Sequence, residues 1–181
     1  MTTSFEAIIK FWFVEISPKQ WWEKSIEFDQ MVLHRFAEIH RKANQCELFE
    51  WRKEPLGRLA EIIILDQFSR NMYRDTPSSF ASDPLALALT QMALEQHAEE
   101  GLSPDQKGLL FMPMMHSESL LIHQYSQAYF AQAGCESYAN SQQRHQNIIE
   151  RFGRYPHRNK ILGRESTPTE LEFLKQPGSS F

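Results

Sequence analysis

Two cysteines in 181 residues, and only seven glycines, set the first limits on this chain. Cys46 and Cys135 are far apart, with no CxxC pair and no clustered histidines, which excludes a disulfide framework and a zinc knuckle. Both are expected as free thiols in a reducing compartment. Neither sits in a cationic setting that would activate it as a nucleophile. No apolar run is long enough for a membrane span. The greasy opening stretch is interrupted by Glu6, Lys10 and Glu15 and lacks a basic region and a cleavage signature, so no export signal is expected. A cationic surplus is missing as well: 19 Lys and Arg stand against 23 Asp and Glu, a net charge of -4. That balance excludes a general nucleic-acid binder. HExxH, GxSxG, Walker and GxGxxG motifs are all absent, so neither a metal nor a cofactor is expected. The resulting expectation is a soluble, cytoplasmic protein without a membrane or nucleic-acid partner.

What is present points to helices. At 41% hydrophobic residues, the chain suits a single domain over 1–181, burying roughly 70% of its unfolded surface, with 176–181 as a loose tail. Prolines stand where helices should begin. Ser17-Pro18-Lys19-Gln20, Ser103-Pro104-Asp105-Gln106 and Thr167-Pro168-Thr169-Glu170 each read as a cap, a proline in the first turn and a residue reaching back. Asp83-Pro84 repeats the idea without the third element, and Thr3 to Glu6 forms another box.

Between these starts the apolar residues recur with helical spacing, and no segment alternates as a strand would. Phe28, Val32, Phe36 and Ile39 form one stripe on a helix over about 25–43. Tyr138, Gln142, His145, Ile149 and Phe152 form another over about 136–152, which should end at Gly153. Pro113 is expected to divide a short helix from one over about 117–133. The four tryptophans, Trp12, Trp21, Trp22 and Trp51, are expected in the core. Trp21 and Trp22 are adjacent and cannot face the same way, so one of them is a candidate to line a cleft. The fold class is therefore all-α, with antiparallel helix pairs in a right-handed tetratricopeptide-like stack or a compact irregular bundle. The strict tetratricopeptide signature is absent, although 83–111 has the cadence of one unit.

Three constellations carry chemistry. In the first, Asp66, Arg70 and Arg74 recur at i, i+4 and i+8, on one helix face. They suit either a structural ion pair or a carboxylate orienting a ligand-facing guanidinium. In the second, Ser117 can cap a helix, placing His116 just outside its N-terminus and Glu118 in the first turn. His116 reads as a capping or core histidine, a ligand contact or, least readily, a metal ligand. The third runs from Arg144 to Arg164 and holds five arginines, one lysine and two histidines against Glu150 alone. Arginine outnumbers lysine there, which favours planar, bidentate recognition of phosphate or carboxylate over mere solvation. Capping of helix C-termini is the plainer alternative.

The stretches IIILDQFSRNMYRDTPSSFASDPLALAL, FMPMMHSESL and RHQNIIERFGRYPHRNKILGRESTPTELEFL, together with FWF and SPKQWW upstream, resemble the bacterial family known as domain of unknown function 924. The resemblance spans nearly the whole chain. It implies a helical, tetratricopeptide-like fold and no particular reaction. Matching polar positions are Asp66, Gln67, Arg70 and Asn71, then His116, Ser117 and Glu118, then His145, Arg151, Arg154, His157, Arg158 and Asn159. Ser69 departs from the pattern, where the family often has proline.

The three motifs are expected to converge on one pocket. In it Arg70, Arg151, Arg154, Arg158 and Asn159 would bind a small anionic ligand, with Asp66 and Glu118 orienting them. His116, His145 or His157 would move a proton if hydrolysis or transfer occurs. The rival expectation is a non-enzymatic scaffold gripping an acidic peptide or a C-terminal carboxylate along a concave face. A third possibility is that all three motifs are internal ion-pair clusters.

Overall fold

The architecture depends on one helix that has no solvent face. Residues 59–69 are all buried, and Leu59, Ala60, Ile62, Ile63, Ile64, Leu65 and Phe68 have no exposed surface at all. A helix apolar on every side can be stable only if other helices surround it. The computed structural model, which describes residues 3–132 and 134–180, shows this arrangement. The central helix comprises α3 (Pro55–Ile63), a wide π segment (Ile64–Phe68) and α4 (Ser69–Met72). Ser69 does not end it; its hydroxyl donates to the Leu65 carbonyl at 2.6 Å and meets His40 Nε2 at 2.8 Å.

Around this axis lie α1 (Phe5–Lys10), continued by a π segment (Phe11–Glu15), and α2 (Ile26–Asn44). They are followed by α5 (Asp83–Glu95), α6 (Pro104–His116), α7 (Leu120–Phe130), α8 (Glu136–Phe152) and α9 (Pro168–Phe173). The α3 segment packs on α1, α5 and α6, and α2 packs on the rest of the central helix. In a stacked repeat each unit touches only its neighbours; here several helices share one partner. The all-α expectation holds, no strand occurs among the described residues, and the packing is a compact bundle.

Capping boxes open α6 and α9 as expected, with Ser103 Oγ accepting from the Gln106 N–H at 3.4 Å and Thr167 Oγ1 from that of Glu170 at 3.3 Å. The box at Ser17 opens only a short 3-10 turn, Pro18–Trp21. At the N-terminus the cap is Ser4 rather than Thr3, and its side chain makes no capping hydrogen bond. Gly153 has φ of +67° and closes α8, the left-handed conformation that glycine adopts without strain.

Two boundaries differ from expectation. Pro113 lies inside α6, which runs on to His116. Proline removes one backbone donor and crowds the preceding turn, but residues 108–115 are all buried, so tertiary packing holds the turn together. Thr90 Oγ1 donates to the Leu110 carbonyl at 3.0 Å in that turn. In consequence Ser117 follows the C-terminus of α6 and does not open α7, whose cap position is Ser119. His116 therefore ends a helix, and Glu118 lies in the connection.

At the other end, Ser179 is buried with its hydroxyl donating to the Leu174 carbonyl at 3.1 Å, while Phe181 lies outside the described residues. Both cysteines are free thiols. Among the described residues, no helix is long and apolar enough to cross a membrane.

Phe68 sits where the rings of Phe11, Trp12 and Phe36 meet, at centroid distances of 5.8, 5.7 and 4.8 Å. Phe68→Ala is expected to cost about 3–5 kcal/mol in urea unfolding. A loss below about 1 kcal/mol would mean that the surrounding helices do not depend on this axis.

Candidate functional site

Between the last turns of the central helix, the end of α6, the face of α8 and the loop after it lies a cavity of about 750 Å³. Arg70, His116, His145, His157 and Arg158 all line it. These five come from the three motifs read in the sequence, and their convergence depends on Asp66. That carboxylate, 1% exposed, is carried inward by the π segment. His116 Nδ1 lies 2.7 Å from Asp66 Oδ1, Gln67 donates to Oδ2 at 2.6 Å, and Arg70 Nη2 stands 3.7 Å away. Burial by itself would raise the Asp66 pKa, but His116 and Arg70 outweigh it and bring the carboxyl below its usual range. An ionised carboxylate only accepts, so His116 Nδ1 is the donor, which leaves Nε2 as the ring nitrogen turned to other partners. No hydrogen bond from the described residues reaches His116 Nε2, and the ring faces both this cavity and a second one of about 360 Å³ behind it.

The two arginines joined through Asp83, Arg70 in the larger cavity and Arg158 lining both, are unequally served. Arg70 donates to the Ser79 carbonyl and to Asp83 Oδ2, the latter at 2.9 Å, and its guanidinium lies 4.7 Å from the Phe80 ring centroid. Among the described residues Arg158 has a longer contact to the same Asp83 Oδ2, at 3.4 Å from its Nη1, and the rings of Phe80 and Tyr155, each 4.6 Å away. Its side chain is 8% exposed, and its Nε is buried without a hydrogen-bond partner among the described residues. Burial, then the nearby Arg70, works against the charge on Arg158, with Asp83 opposing them. A buried guanidinium with idle donors is costly unless something else completes it.

Imidazoles gather round Tyr155. The ring centroids of His145, His157 and His123 lie 5.7, 5.6 and 6.4 Å from that of Tyr155, and His145 is 6.5 Å from His116. The Tyr155 hydroxyl donates to the Met115 carbonyl at 2.6 Å, locking the loop after α8 onto the end of α6. His145 Nδ1 donates to the Ser141 carbonyl at 2.7 Å. Burial pushes His145 down to about 3 and His157 down to about 4, so both rings are neutral near pH 7. His116 is the cavity histidine anchored on a carboxylate.

Most of the remaining residues singled out in the sequence lie elsewhere, although Gln67, Asn71 and Arg74 also line the cavity. Arg154 forms a two-pronged pair with Glu170, at 2.7 and 2.8 Å, and donates to the Glu165 carbonyl, which ties α9 to the loop. Glu118 accepts from both guanidinium nitrogens of Arg164, at 2.6 and 2.9 Å, and from the Tyr155 N–H at 2.8 Å. It lines the smaller cavity and orients Arg164, not the cavity arginines. Asn159, fully buried, bonds Ser166 and Arg164. Arg151 is exposed and rests on Phe152 and Phe173. Arg74 turns away from Asp66 to Asp29, with Nη2 donating at 2.8 Å.

Sequence reasoning missed Asp83, Phe80, Tyr155 and Tyr138. Asp83 reads as a helix cap because it precedes proline, but the cap position is Ser82, which leaves Asp83 in the first turn and its carboxylate available to two arginines. No sequence signal separates these roles. Trp21 and Trp22 both line the cavity, and Trp12 is the tryptophan buried to 1%. Among the described residues, no group of three or more His, Cys, Asp or Glu side chains could hold a metal ion.

A family model described as "Bacterial protein of unknown function (DUF924)" matches residues 8–178. Comparison with curated proteins gives no match. Among solved structures, a protein of unknown function from Agrobacterium tumefaciens, ATU0120, is similar at 33% identity and a TM-score of 0.88, with 94% of this chain and 96% of that chain covered.

Histidines whose folded pKa is depressed bind fewer protons than the unfolded chain, so their contribution to stability is present above pH 6.5 and lost as pH falls toward about 4. The melting temperature is therefore expected to fall between pH 6.5 and 4.5, above the range where most carboxylates titrate. His145→Gln combined with His157→Gln should flatten that slope. An unchanged slope in the double variant would mean that these rings are not held neutral.

Proposed function

The chain belongs to the DUF924 family of bacterial proteins, and from that premise we propose that its cavity binds a small molecule through a phosphate or carboxylate group. The observation that carries this reading is Arg158, a buried guanidinium that shares one carboxylate with Arg70 and whose Nε has no partner among the described residues. An anion placed there would meet the unengaged donors of Arg158 in charge-assisted hydrogen bonds, with Arg70 adding positive charge beside it. Arg144 lines the same cavity, is exposed, and has no ion pair among the described residues, so it adds a positive rim.

The Asp66–His116 pair then supplies a general base. In the form with Nε2 unprotonated, that nitrogen would take a proton from water or an alcohol as the oxygen attacks the phosphorus or carbonyl carbon. The bond to the leaving group would break with its electron pair, and His116 would return the proton to the departing oxygen. Asp66 would hold the ring and stabilise the imidazolium without being protonated itself. Hydrolysis or group transfer on an anionic substrate is the reaction class this supports. The peptide-scaffold alternative calls for a concave helical stack, and the helices instead surround a central one.

Two methionine substitutions separate the ligand-facing cation from a structural one. Inorganic phosphate or acetate is expected to raise the melting temperature of the wild type and leave that of Arg158→Met unmoved. Without ligand, Arg158→Met should melt no lower than wild type, because Asp83 keeps Arg70 and an ill-paired buried charge is gone. Arg154→Met should lose about 1–3 kcal/mol, since Glu170 is left buried without its guanidinium, yet keep the anion response. If Arg158→Met retains that response, the cavity is not the anion site.

For the chemistry, His116→Gln is expected to lower any hydrolysis of 4-nitrophenyl phosphate or 4-nitrophenyl acetate by about 100-fold or more. Equal rates in the two proteins would remove the general-base role.

A further inference from the structure

We propose that the ligand carries a planar aromatic ring as well as its anionic group, as in an aryl or nucleoside phosphate or an aromatic carboxylate. This inference rests on the anion reading above and concerns other residues that line the same cavity. A volume of about 750 Å³ far exceeds what a bare phosphate or acetate fills and lies in the range of sites for whole small molecules. Besides the arginines, the lining includes Trp21, Trp22 and Tyr138.

Those rings are fixed in place. Trp21 lies parallel to the buried Trp12, with centroids 6.2 Å apart and planes 5° apart, and its Nε1 donates to the Trp12 carbonyl at 2.9 Å. Trp22 meets Trp21 edge-on at 6.2 Å and Tyr138 at 6.5 Å. Tyr138 fits only because residue 108 is glycine: a Cβ there would stand 2.5 Å from the ring. The outermost ring is nevertheless open, for Trp22 is 57% exposed. An aromatic surface left uncovered in the same cavity as a guanidinium with idle donors is complementary to a ligand with a ring at one end and an anion at the other. Stacking needs little ordering of the protein, because the rings are already held.

Calorimetric titration with matched pairs tests this: phenyl phosphate against glycerol 3-phosphate, and benzoate against lactate. At least one pair is expected to bind, with the aromatic member about tenfold tighter. Trp22→Ala should abolish that ratio without weakening the aliphatic member, and Trp22→Phe should keep most of it. Because Trp22 is largely exposed, the melting temperature without ligand should be unaffected. Equal affinities within each pair that binds, or an alanine variant that weakens aromatic and aliphatic members alike, overturns the inference. If such equal binding is abolished by Arg158→Met, the anion reading survives and only the aromatic wall fails. If none of the four probes binds, both fall together.

Discussion

A carboxylate buried inside the bundle is the constraint from which the site follows. Asp66 lies on a helix with no solvent face, so its charge must be met by partners brought in from elsewhere in the chain. His116 comes from the end of α6 and Arg70 from the next turn of the same helix, and Arg70 in turn brings Asp83 from α5. The charges that neutralise Asp66 are thereby placed at a cavity wall. The need to stabilise one buried group positions the imidazole and the first guanidinium at once.

Saturation separates the cations of the molecule into two kinds. Arg52, Arg74, Arg154 and Arg164 each have a carboxylate in two-pronged or near two-pronged contact, with Glu61, Asp29, Glu170 and Glu118 respectively. Such a guanidinium has little left to offer a ligand, and its role is to fasten one element to another. Arg158 departs from this pattern, buried as deeply as any of them and sharing its one acidic neighbour with Arg70. Density of arginine in the sequence does not distinguish the two kinds. What distinguishes them is how many acceptors the fold delivers to each.

The stripe on α2 was legible because period and burial coincide: Phe28, Val32, Phe36 and Ile39 all point to the interior. The boxes at Ser103 and Thr167 were legible because capping is a local hydrogen bond between residues three apart. Pro113 was not, because its local preference to end a helix is overridden by contacts from other helices, and the role expected of Ser117 shifted with it. In the third motif, Arg154 and Arg158 are four residues apart and look equivalent. Glu170 claims the first, while the second is left with a distant carboxylate on α5.

The sequence by itself determined that this chain is helical, where many of its helices begin, and which three stretches hold its reactive polar groups. All of that is encoded in spacing and in neighbours along the chain. Tertiary structure alone decided which of those groups face one cavity, that Asp83 lies between two arginines, and that a glycine in α6 makes room for the Tyr138 ring of α8. Each of these is a contact between residues far apart in the chain, set by how whole helices pack around a buried axis, and local propensity carries no record of it.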